Sequence, residues 1–246
     1  MKRRDVLLAT IGLLIVWQIA AMIVHRPILP APTDVFVVFF QELQKDLLIH
    51  FAYSLWRVTA GMVLSVLVAA PAGLAIGGSE RMNRLLSPII YLLYPIPKVV
   101  FVPVVLLFLG IGDTAKITLI FLILFFQIIV LVRDQAVSIP PQLLQSLSSL
   151  GAGRRALFRF VYLPASLPAI LTALRQSIGT AIAVLYISEL FATKYGLGYY
   201  IYYNGSTLFN YPAMYAGVVA MSLLGLGMYF GVDWLERKLC RWKFVN

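Results

Sequence analysis

Six stretches of this chain are apolar for long enough to cross a lipid bilayer, and that feature decides most of what the chain can fold into. A helix rises 1.5 Å per residue, so about 20 mostly apolar residues cover roughly 30 Å of hydrocarbon. The stretches are Val6 to Val24, Phe51 to Ile76, Ser87 to Leu109, Lys116 to Val132, Pro168 to Ala192 and Ala213 to Trp234. The expected fold is all-α and integral to the membrane, with about six transmembrane helices in a single domain over residues 1–246. The apolar share is 61% and the charged share 12%, against about 45–50% and 25% in soluble domains. One globular core cannot bury that excess, which excludes a cytosolic enzyme, a disordered chain and a disulfide-stapled secreted domain. Cys240 is the single cysteine, and His25 and His50 are the only histidines. Neither a disulfide nor a thiolate or histidine metal cage is expected.

The formal charge is +10, which on a soluble protein would point to nucleic acid. Its placement gives a cheaper explanation. With the N-terminus inside, the inner segments hold thirteen basic residues: Lys2, Arg3, Arg4, Arg81, Arg84, Arg133, Arg154, Arg155, Arg159, Arg237, Lys238, Arg241 and Lys243. The outer segments hold Arg26, Lys45, Lys116 and Lys194, while Arg57, Lys98 and Arg175 fall within stretches. This bias predicts both termini in the cytoplasm, and no nucleic-acid partner. The first stretch reads as a retained anchor, because it is longer than a signal-peptide core and lacks an A-x-A cleavage site.

After the first stretch comes Pro30-Ala31-Pro32-Thr33-Asp34. Prolines stop one helix, and Thr33 is expected to cap the next, with Asp34 in its first turn. Val35, Val38, Phe39, Leu43 and Leu47 then recur at helical spacing. They predict an amphipathic helix, either at the outer interface or packed on the spans. The longest inner segment, 133–167, opens at Ile139-Pro140-Pro141, a pair suited to a turn and a first helical position. Leu143, Leu144, Leu147 and Leu150 lie on one helical face, and Gly151-Ala152-Gly153 then breaks it. Arg154, Arg155 and Arg159 interleave with Leu157, Phe158, Phe160 and Val161 until Leu163-Pro164. Two short helices are expected to meet at a glycine corner, with the second ending at Leu163-Pro164. Their apolar faces either dock on another protein or fold back under their own bundle.

This segment resembles the "EAA" loop of binding-protein-dependent ABC importer permeases. The similarity is carried by Gln145-Ser146-Leu147-Ser148-Ser149-Leu150-Gly151-Ala152, Phe158, Val161, Leu163-Pro164 and Leu167-Pro168. Further pieces match in order: Leu29-Pro30-Ala31-Pro32, Ser54-Leu55-Trp56-Arg57-Val58, Pro95-Ile96-Pro97-Lys98 with Pro103, Leu109-Gly110-Ile111-Gly112-Asp113, and Glu189-Leu190 with Gly196-Leu197-Gly198. Together they resemble the nitrate/sulfonate/taurine branch. Gln145 stands where the family usually has Glu, and Ser146 and Leu147 replace its two alanines. Gln145 keeps hydrogen-bonding capacity without a charge.

The resemblance implies a type I importer permease of the bacterial inner membrane that works as a pair. Two ATP-binding subunits and an external substrate-binding protein are its implied partners, with ATP and Mg held by the ATPase. No cofactor is expected here, and no G-x-x-x-x-G-K-[ST] loop is present. Gln145, Ser146, Leu147, Leu150, Gly151, Ala152 and Pro164 are the implied ATPase-coupling residues, and the solute is a small, possibly anionic one resembling nitrate, sulfonates or taurine.

Ionisable residues inside spans are functional candidates by default, which singles out Lys98, Arg57, Glu189 and Arg175. Arg57 and Glu189 fall at similar depth, so they read as an ion pair or as solute contacts. Lys98, between Pro97 and Pro103, either attracts an anion in transit or snorkels or binds backbone carbonyls freed by the prolines. Tyr199, Tyr200, Tyr202 and Tyr203 read as an interfacial belt, or as a gate or docking surface. Two other functions compete with the permease. A stand-alone secondary transporter would be expected to carry an inverted repeat. A membrane enzyme would be expected to carry H-E-x-x-H, a Ser-His pair or paired carboxylates. The sequence has none of these.

Overall fold

The computed structural model describes residues 3–191 and 193–243. Lys2 of the inner charge cluster and Ala192 of the fifth stretch lie outside the described residues, as do the side chains of Arg3, Val6 and Arg154. All regular structure among the described residues is helical. Among the described residues five helices have the length and apolarity of a span, or six when the one bent pair is counted as a single span.

Helix α1 (Arg3–Val24) exposes Leu7, Ile11, Ile15 and Ile23, the all-round apolar surface of a lipid-facing helix. Helix α2 (Pro32–Leu43) starts at a proline: Ala31 is extended at the N-cap and Pro32 takes the first turn, where a missing N–H costs least. Thr33 therefore lies inside the helix rather than capping it, and Asp34 is in the first turn. Helix α3 (Leu47–Gly77) has 31 residues, about 46 Å at 1.5 Å per residue.

The third stretch is not one helix. Helix α4 (Glu80–Leu93), capped by Ser79 through the Met82 N–H, ends at Pro95-Ile96-Pro97. A 3-10 turn (Lys98–Phe101) then leads into α5 (Val102–Leu109), and the two halves meet at a 75° bend. Pro97 has no N–H to offer the carbonyl of Leu93 four residues earlier, so the helix cannot continue. Helix α6 (Asp113–Val137) overruns the predicted 116–132 at both ends.

Helix α7 (Pro141–Ser149) and the short α8 (Arg154–Leu157) flank the glycine corner. A π turn (Phe158–Tyr162) joins α8 directly to α9 (Leu163–Leu190). Leu163-Pro164 thus does not end the second loop helix. The register changes at the π turn, and Pro164 falls in the first turn of α9, where its missing N–H is tolerated. Helix α10 (Leu197–Tyr202) and a π turn (Tyr203–Thr207) precede α11 (Tyr211–Leu239).

Two compact units make up the chain: Met1–Leu55 with Glu189–Leu224, and Trp56–Ser188 with Gly225–Asn246. In the first, Trp17 of α1 packs on Tyr215 of α11 with ring centroids 5.7 Å apart. Gly217 of α11 lets α10 approach, since a Cβ there would lie 2.8 Å from both Tyr200 and Ile201 side chains. In the second, α3 packs on α6 along Gly61, Gly73 and Gly77. A Cβ at Gly77 would lie 2.6 Å from the carbonyl of Arg133 and 2.6 Å from Cβ of Ala136. This small-residue stripe lets the backbones come close, as in other membrane helix pairs. Ile120, Leu124, Ile128 and Val132 of α6 are buried in that unit.

Candidate coupling surface and intramembrane charges

The geometry of α7 follows from its sequence residue by residue. Pro140 is extended at the N-cap, and Pro141 takes the first helical position. At the other end, the N–H of Ala152 donates to the carbonyl of Leu147 (3.0 Å) and the N–H of Gly151 to that of Ser148 (3.0 Å). Gly151 has φ +84°. This is a Schellman C-cap, which needs a left-handed residue at its turn, and glycine adopts one without a Cβ clash. The hydroxyls of Ser146, Ser148 and Ser149 donate back to the carbonyls of Gln142, Leu144 and Gln145 at 2.8–3.0 Å. They satisfy their own helix and leave its outer surface to the amide of Gln145 and to the leucines.

No residue of α7 is buried. Leu143 is exposed, Leu144 and Leu147 are half-buried, and Leu150 is 82% exposed. Beyond the corner, Val161 is buried while Phe160 is exposed. Leu143 and Leu150 stay open while Leu144 and Leu147 are partly covered by the chain itself, and the open part of such an apolar helical face is suited to a groove on another protein.

Four charges had been singled out within the stretches, and the structure gives each a setting. Lys98 Nζ donates to the carbonyls of Leu93 (2.6 Å) and Tyr94 (2.5 Å) and lies 4.5 Å from the ring centroid of Phe126. Its ammonium takes the place of the N–H that Pro97 lacks. Arg57 is buried and pairs with Asp113, Nε to Oδ1 at 2.8 Å and Nη2 to Oδ1 at 2.7 Å. Glu189, fully buried, accepts from Ser54 Oγ at 2.9 and 2.8 Å and from the N–H of Gly198 at 2.9 Å. Ser54 Oγ in turn accepts from the N–H of Leu197 at 2.8 Å. Glu189 and Ser54 therefore fasten the start of α10. Arg175 lies 3.0 Å from Asp233 and 3.2 Å from Glu236 Oε2. The Glu236 contact is an ion pair without hydrogen-bond alignment. Lys243 reaches the other oxygen of Glu236 at 2.8 Å.

Sequence reading missed several groups. Arg133, placed among inner-loop charges, binds Asn83 (2.7 Å), Ser87 (2.7 Å) and Tyr91 (2.8 Å). Those three recur at i, i+4 and i+8, a polar stripe along α4 that periodicity alone could have shown. Lys116, assigned to an outer segment, is fully buried and donates to the carbonyl of Ile111 at 2.6 Å. Tyr200, expected in a belt, is buried and donates to Glu42 at 3.0 Å. Burial, then the Glu42 charge and hydrogen bond, then Asp46, push its phenol well above the usual tyrosine range. Among the described residues no cluster of His, Cys, Asp and Glu could hold a metal.

Helices of membrane length and a short exposed helix between two of them are what the resemblance to an ABC importer permease implies. The fold agrees with that of the MetNI methionine ABC transporter in an inward-facing form, at TM-score 0.66 and 21% identity over 78% of this chain and 96% of that one. Residues 61–241 match the family described as binding-protein-dependent transport system inner membrane component, and the chain belongs to that family. It is 33% identical over 193 residues to the taurine transport system permease protein TauC of Escherichia coli, covering 78% of this chain and 70% of that protein. It is 28% identical over 232 residues to the putative aliphatic sulfonates transport permease protein SsuC of Bacillus subtilis, covering 93% and 83%. These relatives lie on the sulfonate and taurine side of the family, and the chain is a multi-pass membrane protein.

Proposed function

We propose that two copies of this chain form the translocation pathway of an ATP-driven importer that brings a small anionic solute, of the sulfonate or taurine kind, into the cytoplasm by alternating access. Each copy sits in the inner membrane with both termini in the cytoplasm, as the basic-residue bias supports. Each offers α7 to one ATP-hydrolysing subunit, which holds ATP and Mg, and an external binding protein delivers the solute. The chain itself carries out no chemistry. The observation that carries this reading is α7: a proline-started, glycine-capped helix with leucines on its surface and no buried residue.

Closure of the two ATPases would draw the paired loops together and shift which side of the pathway is open. The driving free energy is the difference in how the partners bind the two states. Gln145 and the leucines at 143, 147 and 150 supply contact, while Gly151 and Ala152 hold the corner, and Pro164 marks where the loop passes into α9. Reconstitution with the cognate ATPase and binding protein tests this. Leu147→Asp should abolish solute-stimulated ATP hydrolysis and uptake while leaving the chain inserted; normal stimulated hydrolysis by that variant would refute the assignment.

A further inference from the structure

The C-terminal end of α11 carries an exposed stripe along which apolar groups give way to cations. Leu226, Phe230, Trp234 and Lys238 recur every fourth residue, so they lie along one side of the helix, and all four are exposed. The Lys238 ammonium sits 4.9 Å from the centroid of the Trp234 ring. Such a ring face holds an ammonium in place without cancelling its charge. The chain then runs into a 3-10 turn, Arg241–Lys243, and Arg241 is exposed three positions after Lys238. The two carboxylates at this end are already occupied. Asp233 pairs with Arg175 (3.0 Å) and Arg237 (2.9 Å), and the buried Glu236 with Arg175 (3.2 Å) and Lys243 (2.8 Å). Among the described residues no carboxylate pairs with Lys238 or Arg241.

Depth and charge together say what fits this stripe. Leu226 and Lys238 are about 18 Å apart along the axis at 1.5 Å per residue, close to half of a bilayer of roughly 40 Å with its headgroups. The aliphatic and phenyl groups therefore lie at the level of acyl carbon, the indole at the interface, and the two cations among phosphates. We infer that the stripe binds one anionic phospholipid, a phosphatidylglycerol, with its phosphodiester between Lys238 and Arg241 and an acyl chain along Trp234, Phe230 and Leu226. A zwitterionic head would bring its own ammonium against two cations with no free carboxylate beside them to receive it. A soluble phosphate ester would leave the apolar length of the stripe unfilled. The site goes beyond the importer role: it depends on α11 crossing the membrane and on no property of the solute.

The test is the lipid retained by the full chain after transfer from nanodiscs of equal phosphatidylcholine and phosphatidylglycerol into detergent, read by native mass spectrometry. One phosphatidylglycerol per chain is expected, favoured at least fivefold over phosphatidylcholine. Lys238→Gln with Arg241→Gln should bring that ratio to parity, and Trp234→Ala should lower it with no change of charge. Arg81→Gln with Arg155→Gln removes the same charge at exposed positions elsewhere and should leave the ratio unchanged. Equal retention of the two lipids by the wild type overturns the inference. An equal loss in the two double variants also overturns it, since the attraction is then to net charge alone. So does displacement of the lipid by equimolar glycerophosphoglycerol, the headgroup without its chains, since the occupant is then a free phosphate ester. A cross-link from Trp234→Cys to the ATPase or to a second copy in the assembled transporter contradicts it as well, because protein then covers the stripe. A chain that couples normally to its ATPase but retains both lipids equally fails this inference alone.

Discussion

At the scale of single residues, the glycines of α3 separate positions that need hydrogen from positions that tolerate more. A Cβ on Gly77 would meet a backbone oxygen and a methyl carbon at 2.6 Å, while one on Gly12 of α1 meets nothing within 4 Å. Gly77→Ala should destabilise by about 1–3 kcal/mol through overpacking. Gly12→Ala should be neutral or stabilise by up to about 1 kcal/mol through helix propensity. Thermal unfolding in detergent distinguishes the two, and equal melting temperatures would contradict the packing account. Tyr200 gives a pH prediction. Its phenol is held neutral above the ordinary value of 10.0 by burial and by Glu42. The stability it contributes is full below that value, where folded and unfolded chains both keep the proton. It is lost as pH rises further, because the unfolded chain then releases the proton first. Absorbance at the tyrosinate band should show a late-titrating tyrosine that Tyr200→Phe removes. Part of this scale was legible from type and spacing: Asp34 falls in the first turn of α2, and of the alternatives open to Lys98 between its prolines, the carbonyl-bound one is seen, on Leu93 and Tyr94. Tyr200 and Arg133 were not legible, because their partners Glu42 and Asn83 lie 158 and 50 positions away in the chain. No local pattern encodes a pairing over that distance.

At the scale of elements, α7 was legible because each boundary has a local cause. Prolines start it, and Gly151 closes it in a conformation that residues with a Cβ adopt at a cost. Gly151→Pro forces a negative φ onto a position at +84°. It should uncouple ATP hydrolysis from transport without preventing membrane insertion, read as ATPase activity with and without solute. Leu150→Glu removes contact area at an exposed site, so it should change the melting temperature little, within about 0.5 kcal/mol. It should nonetheless lower stimulated hydrolysis; loss of folding instead would mean that Leu150 packs on its own chain. The end of the following helix was misjudged, because Leu163-Pro164 reads locally as a stop. A π turn just before it lets the helix run on. The third span was predicted as one segment because hydropathy averages over a bend; the N–H missing at Pro97 acts on geometry and not on hydropathy. The fourth span starts at Asp113, three residues before the expected Lys116, and the Lys116 ammonium is satisfied by the carbonyls of Ile111 and Gly112 just ahead of the helix.

For the whole molecule, the skew of basic residues predicts sidedness, and the chain is well suited to measuring it. Cys240 is its single cysteine and is fully buried, and burial, then Glu236, raise its thiol against an opposing effect of Lys243. The wild type should react slowly with a membrane-impermeant maleimide at neutral pH. Lys238→Cys should then label only from the cytoplasmic face and Phe36→Cys only from the opposite one; the reverse pattern would invert the topology. The central claim concerns α7, and site-directed cross-linking tests it most directly. With a cysteine at position 147 in the assembled transporter, the account predicts a cross-link to the ATP-hydrolysing subunit that blocks solute-stimulated hydrolysis. A cysteine there that links only to helices of its own chain, or reacts freely with solvent reagents while the ATPase is bound, would contradict it.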